Sequence, residues 1–328
     1  MARWILRLVL IAVAGFLLIP FIISLPPIGV NAAELADPGG YFLEIDGMST
    51  YLLEAGDQDA PPVMLLHGWG ASTFTWRENM SALAEAGYHV IAFDRPPYGL
   101  STKTGAGIPY TLSALADFTA KVMDSLGIEK AVLVGQSQGG GVVGYFAVKY
   151  PERVEKIVLV SAALYPSDDL PADKGGFDVQ SLAASLLSFR PIEWWTRLGV
   201  RVFAKPDLAA NLLRSAYYDP AFLTPEIADG YSRQLKVIGW DSALVDQIKI
   251  GALSRNADAI TADQIAGISV PVLIMWGRDD TWVPLGIGER LKALLPAAMM
   301  VIYPEVGHLP QEEAAQSFNH DLIAFLKS

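Results

Sequence analysis

Apolar and polar residues alternate through Tyr41–Ile45 and again through Ser49–Glu54, on either side of Asp46-Gly47, which predicts an antiparallel hairpin. Beyond it the pattern changes. Short apolar runs at Val63–His67, Val90–Asp94, Ala131–Gly135 and Ile157–Val160 read as strands. Stretches of helical periodicity separate them: Phe74–Ala86, Leu112–Leu126 and Gly140–Tyr150. Strands alternating with helices predict an α/β fold, a mostly parallel sheet flanked by helices on both faces. The rhythm stops at Ser161 and resumes at Val270. Between them lie helical patterns at Val179–Leu187, Glu193–Leu198, Leu208–Ala216, Pro225–Leu235 and Ser242–Leu253, broken by prolines and without a convincing strand. Then come strand Val270–Trp276, helix Ile287–Leu295, strand Met299–Tyr303 and helix Glu312–Leu326. The expected division is an N-terminal segment 1–30, a core of 31–160 and 270–328, and an inserted helical cap of 161–269.

The N-terminal segment has its own pattern. Leu8 to Leu25 carries no charge and follows Arg3 and Arg7. That length is at the lower limit for a helix spanning a bilayer, and Trp4 and Ile5 extend it. Pro20 is compatible with a kinked membrane helix. A cleavable signal peptide is the competing reading, with Val30-Asn31-Ala32 a poor cleavage site. Positive charge before the segment and Glu34, Asp37 and Glu44 after it place the N-terminus in the cytoplasm and the body across the membrane. The expected location is therefore membrane-anchored on the non-cytoplasmic side, or secreted or periplasmic after cleavage. Pro26, Pro27 and Gly29 form a short linker.

Composition narrows the chemistry. The net charge is −11; setting aside the +2 of Arg3 and Arg7 leaves −13 on the remainder. Such a body is repelled by phosphate backbones, so nucleic acid is not an expected partner. The chain has no cysteine, which excludes disulfides, thiol nucleophiles and cysteine-ligated metals. The four histidines fall in no metal-ligand spacing, so neither a metal nor a cofactor is expected. Gly139-Gly140-Gly141-Val142-Val143-Gly144 matches G-x-G-x-x-G, but the following strand ends in Ser161-Ala162-Ala163 with no acid for a ribose. Close helix packing explains these glycines better.

The candidate chemistry begins at Gly135-Gln136-Ser137-Gln138-Gly139. A strand precedes it and a helix follows, the context of a nucleophile elbow. Acyl transfer by serine needs a base and a group to orient it, in the chain order nucleophile, acid, base. Asp279 and Asp280 follow one late strand, and His308 follows the next, so both loops open on the sheet edge that carries Ser137. Backbone N–H groups at Gln138 and at Trp69, in His67-Gly68-Trp69-Gly70, are the candidate oxyanion donors. Trp69 and Leu309 are candidate substrate contacts. His67, Asp94 and Arg95 read as braces for their loops. Phe189, Trp194, Trp195, Phe203, Tyr217 and Tyr218 either line an acyl pocket or form the cap's own core.

These segments, with Asp94-Arg95-Pro96-Pro97-Tyr98-Gly99-Leu100-Ser101 and Trp276-Gly277-Arg278-Asp279-Asp280, resemble the α/β-hydrolase fold superfamily in its capped branch. The resemblance covers about residues 41–327. It implies a Ser137, Asp280, His308 triad, with Asp280 rather than Asp279 as the acid because the family's acid usually stands three residues after the glycine. A serine at the elbow departs from epoxide hydrolases and haloalkane dehalogenases, which use aspartate there. Carbon–carbon hydrolases of aromatic degradation often carry Trp after the histidine, where this chain has Leu309. The expected function is a serine esterase or lipase acting on apolar or amphiphilic small molecules. The alternatives are hydrolysis of a ring-fission diketone on the same triad, a perhydrolysis like that of cofactor-free haloperoxidases, and a weakly catalytic ligand-binding protein.

Overall fold

The computed structural model describes residues 2–105, 108, 110–169, 182, 185–203, 206–253 and 260–328. Eight strands form one sheet: β1 (Tyr41–Ile45), β2 (Met48–Ala55), β3 (Pro62–Leu66), β4 (His89–Phe93), β5 (Ala131–Gln136), β6 (Val154–Val160), β7 (Val272–Gly277) and β8 (Met299–Tyr303). Their order is β1-β2-β4-β3-β5-β6-β7-β8. The hairpin β1–β2 and the β2–β4 pair are antiparallel, and every pairing from β4 to β8 is parallel.

The described helices are α1 (Ala2–Ile22), α2 (Met80–Glu85), α3 (Leu112–Ser125), α4 (Gln138–Lys149), α5 (Arg190–Phe203), α6 (Pro206–Arg214), α7 (Pro225–Ser232), α8 (Trp240–Leu253), α9 (Ala262–Ala266), α10 (Leu285–Leu294), α11 (Pro310–Glu313) and α12 (Ala315–Leu326). Because side chains alternate along a strand, each central strand feeds two cores. Leu133, Ile157 and Ile274 join one face with Phe118 of α3, Phe146 of α4 and Leu291 of α10. Val134, Val158 and Leu273 join the other with Leu83 of α2 and Phe318 and Leu322 of α12.

The expected helix Phe74–Ala86 is broken. Thr73–Trp76 is a 3-10 turn and α2 starts only at Met80. Tertiary demand explains the break: buried Asn79 points its amide at Gln311 O (3.0 Å) and Asn319 Oδ1 (2.8 Å) instead of capping α2. The glycines of α4 serve packing. A Cβ on Gly140 would collide with Ala162, and one on Gly144 with Leu164.

Between β6 and β7 the described elements are α- and 3-10 helices, and the expected helix Val179–Leu187 lies largely outside the described residues. One buried carboxylate gathers several of the contacts between the insert and the core. Glu312 of α11 accepts from Tyr217 (2.9 Å) and Tyr231 of the insert and from Thr75 (3.0 Å), and pairs with Arg77 at 2.8 Å.

α1 stands almost wholly exposed along its apolar length and packs mainly against α5. Its length and hydropathy suffice to cross a membrane. The chain after it is laced to the insert. Val30 N donates to Lys236 O (2.8 Å), Ile238 N returns to Val30 O (3.1 Å), and Arg233 pairs with Asp37 at 2.6 Å.

Candidate active site

β5 ends in a turn whose backbone is strained and held so by its neighbours. Ser137 has φ 53° and ψ −119°, a positive-φ conformation uncommon for a residue with a Cβ. Ser137 N donates to Val160 O at 2.9 Å, and Ser137 O accepts from Ala163 N at 2.8 Å, so the strained peptide is tied to β6 and the loop after it. Space here admits only glycine on either side. A Cβ on Gly135 would collide with Gly139, and one on Gly139 with the Leu66 and His67 carbonyls.

His308 and Asp280 come from the loops after β8 and β7. His308 Nδ1 lies 2.8 Å from Asp280 Oδ2, with both side chains buried. Asp280 Oδ1 is already occupied by the N–H groups of Trp282 and Val283, each at 2.9 Å. The carboxylate is thus an acceptor on both oxygens, so Nδ1 carries the proton and Nε2 is left free to accept one. Asp279 points elsewhere, accepting from Glu305 N at 3.1 Å. The ring of Trp282 packs on His308 with centroids 5.3 Å apart. Trp282 was not anticipated as a site residue, although its place two positions after Asp280 is the signal that it shares the acid's loop.

Ser137, His308, Trp69 and Leu309 line one cavity of about 540 Å³. Its roof comes from the insert, through apolar residues that include Leu213, Ala228, Leu235, Trp240 and Leu244. Gln138 is the first residue of α4, so its N–H has no acceptor within its own helix. Its side chain turns away, toward Arg95 Nη1 and Tyr98 Oη, both at 3.4 Å. Gly68 packs against Gln136 and Ser137, which brings the loop of Trp69 beside the elbow.

That loop is braced from below. Buried Arg95 donates from Nη2 to His67 O, and its backbone N–H donates to His67 Nε2 at 3.1 Å. Burial and the Arg95 charge hold His67 well below the usual imidazole range, so it stays neutral. Asp94 accepts from Thr73 N and Leu100 N, both at 2.6 Å. The site also includes an unforeseen cation. Lys103 lines the cavity while donating to Pro97 O (3.0 Å) and Gly99 O, and burial pushes its ammonium down to about 7.

The six aromatic candidates are not among the described lining residues of the cavity, and Tyr217 instead joins a buried cluster of the insert with Ala216 and Leu223. Tyr217 is turned to Glu312, Trp194 and Trp195 bond to the N-terminal segment, and Phe189, Phe203 and Tyr218 are exposed.

Comparison with known proteins supplies the context for this geometry. The chain is 31% identical over 287 residues to a 2-hydroxy-6-oxo-6-phenylhexa-2,4-dienoate hydrolase of Burkholderia cepacia, covering 84% of this chain and 90% of that one. It is 29% identical to a bifunctional esterase/perhydrolase of Acinetobacter calcoaceticus, covering 88% of this chain and 100% of the other. The fold matches a crystal structure of a membrane phospholipase A with a TM-score of 0.67 and 24% identity, over 100% of this chain and 98% of that chain. A model of the alpha/beta hydrolase fold matches residues 61–315. The chain belongs to the α/β-hydrolase fold family and is a hydrolase.

Proposed function

We propose that the protein is a serine esterase that cleaves carboxylic esters of apolar or amphiphilic molecules through an acyl-enzyme. The observation that carries this reading is the His308 Nδ1 to Asp280 Oδ2 contact of 2.8 Å, lining up a free Nε2 on the same cavity as Ser137. Ser137 Oγ attacks the ester carbonyl while His308 Nε2 takes its proton, and Asp280 keeps the imidazole in the productive tautomer. The N–H groups of Trp69 and Gln138 receive the developing oxyanion. His308 returns the proton to the leaving alkoxide, and water then attacks the acyl-enzyme by the same route in reverse. The mainly apolar roof favours acyl chains over polar acyl groups.

A fluorophosphonate probe tests the chemistry. Wild-type protein is expected to label at Ser137, and Ser137→Ala is expected to lose both label and ester turnover, the latter by at least about 10³-fold. Folded wild-type protein that resists the probe would overturn the reading.

A second reading, carbon–carbon hydrolysis of a ring-fission dienoate, is favoured by the 31% identity to the Burkholderia hydrolase and by Lys103, an amine on the cavity wall that a substrate carboxylate would hold protonated. Rates on a p-nitrophenyl ester and on a ring-fission dienoate separate the two. Turnover of the dienoate with negligible ester hydrolysis would replace the first reading by the second.

A further inference from the structure

Outside the catalytic cavity the most unusual polar arrangement lies where α1 ends. Pro20 has no N–H, so the carbonyl of Phe16, four residues earlier, loses its helical donor. That carbonyl accepts instead from Trp195 Nε1 of α5 at 2.9 Å, while the Trp195 ring stacks on Phe16 with centroids 5.6 Å apart. Further along, Pro20 O accepts from Arg190 Nε (3.3 Å), Ile23 O from Trp194 Nε1 (2.8 Å) and Pro26 O from Arg201 Nη1 (2.8 Å). Four donors of one inserted helix thus satisfy four carbonyls of the N-terminal segment.

The dimensions say at what depth this happens. The apolar span Arg3–Ile22 rises about 30 Å, the hydrocarbon thickness of a bilayer. Phe16 and Pro20 lie inside that span, and Ile23–Ile28, which is not helical and whose Ile23 and Ile28 side chains are exposed, follows it directly. Carbonyls without a helical donor at that depth are tolerated only where protein covers them. α5 provides that cover, so α5 lies at the same depth. Its own character agrees: it is strongly amphipathic and mixes Arg190, Arg197 and Arg201 with Trp194, Trp195 and Leu198, the make-up of an interfacial helix. Arg197 and Arg201 turn inward to Asp241, while Val202, one heptad beyond Trp195 on the same face, and Phe203 stay exposed.

We propose that α5 is a bilayer-contact surface, with Trp195 beside Phe16 among the acyl chains, Trp194 at the interface, and Val202 and Phe203 at the headgroup end of the acyl chains. This rests on α1 being inserted in a membrane and is independent of the chemistry at Ser137. The helices that roof the cavity are then held against the leaflet by the anchor itself.

The chain has no native cysteine, so a single introduced one can be labelled cleanly. Full-length protein carrying Val202→Cys or Phe203→Cys, labelled with bimane, is placed in phosphatidylcholine nanodiscs with or without bromines near the headgroup end of the acyl chains. Leu10→Cys reports insertion of α1, and Met299→Cys, on an exposed edge of the sheet, reports water. The expected result is loss of fluorescence at 202 and 203 of the order seen at 10, with none at 299. Quenching at 10 without quenching at 202 or 203 would show that α5 stands clear of the bilayer and overturn the proposal. Absence of quenching at 10 would overturn it as well, by removing the anchor it rests on.

Discussion

Ser137 at φ 53° and Gly139 beneath the Leu66 carbonyl set the precision that the site demands of single residues. The same precision separates two adjacent aspartates. Asp280 meets His308 Nδ1, whereas Asp279 holds the backbone of Glu305, although the two are chemically identical and one residue apart. Asp280→Asn is therefore expected to lower kcat for ester hydrolysis by about 10³–10⁴-fold, because an amide facing Nδ1 permits the wrong tautomer. Asp279→Asn is expected to leave kcat within a few-fold of wild type, and steady-state kinetics of both variants decides. Glu313 gives a pH signature. It accepts from Tyr218 N (2.7 Å) and from Gly307 N (2.8 Å), beside His308, and burial pushes its carboxyl up to about 7 from an ordinary 4.5. Between those values the folded state holds a proton that the unfolded state has released. Its contribution is full below 4.5 and is lost as pH rises through about 7. Urea midpoints across that window are expected to fall with pH in wild type, and the slope is expected to flatten in Glu313→Gln.

At the scale of elements, what could be read from the chain depended on whether the deciding contacts were local. The strands from Val63 to Val160 announced themselves as apolar runs because burial between two helical layers demands nothing else of them. The helix expected over Phe74–Ala86 is interrupted because Asn79 answers to Gln311 and Asn319, more than two hundred residues away, which no local pattern encodes. Trp194 and Trp195 fit an acyl pocket or a cap core equally well by composition, yet they face α1. Pro20 was legible as a proline within an apolar helix; that its missing N–H would be answered by a tryptophan from another element was not. This pairing is testable as a double-mutant cycle. Trp195→Phe keeps the stack on Phe16 but removes the donor, and is expected to cost about 1 kcal/mol of stability in the membrane. Pro20→Ala restores a helical donor to Phe16 O, so in that background Trp195→Phe is expected to cost clearly less. Equal costs in both backgrounds, measured by thermal unfolding in nanodiscs, would show that the carbonyl is not what Trp195 serves.

The whole molecule creates what no element holds alone. Ser137, Asp280 and His308 follow β5, β7 and β8, and their chain order on a parallel sheet made them legible as candidates on one sheet edge. The cavity above them was not legible, since its walls combine Trp69 and Leu309 of the core with Leu213, Leu235 and Leu244 of helices whose docking depends on Glu312, Tyr217 and Tyr231. Those apolar walls make a quantitative demand on substrate. Each methylene of an acyl chain moved from water into such a cavity contributes about 0.8 kcal/mol, or about fourfold in kcat/KM where the gain is kept in the transition state. Along a series of p-nitrophenyl esters, kcat/KM is expected to climb by up to that factor per methylene and then level off once the cavity of about 540 Å³ is filled. Leu213→Asn, which places a polar group in the roof without touching Ser137, His308 or Asp280, is expected to flatten the climb while acetate ester turnover stays within a few-fold. A series that is flat from acetate onward in wild type would mean that the acyl chain does not occupy this cavity, and would leave the leaving-group side as the place where the apolar roof acts.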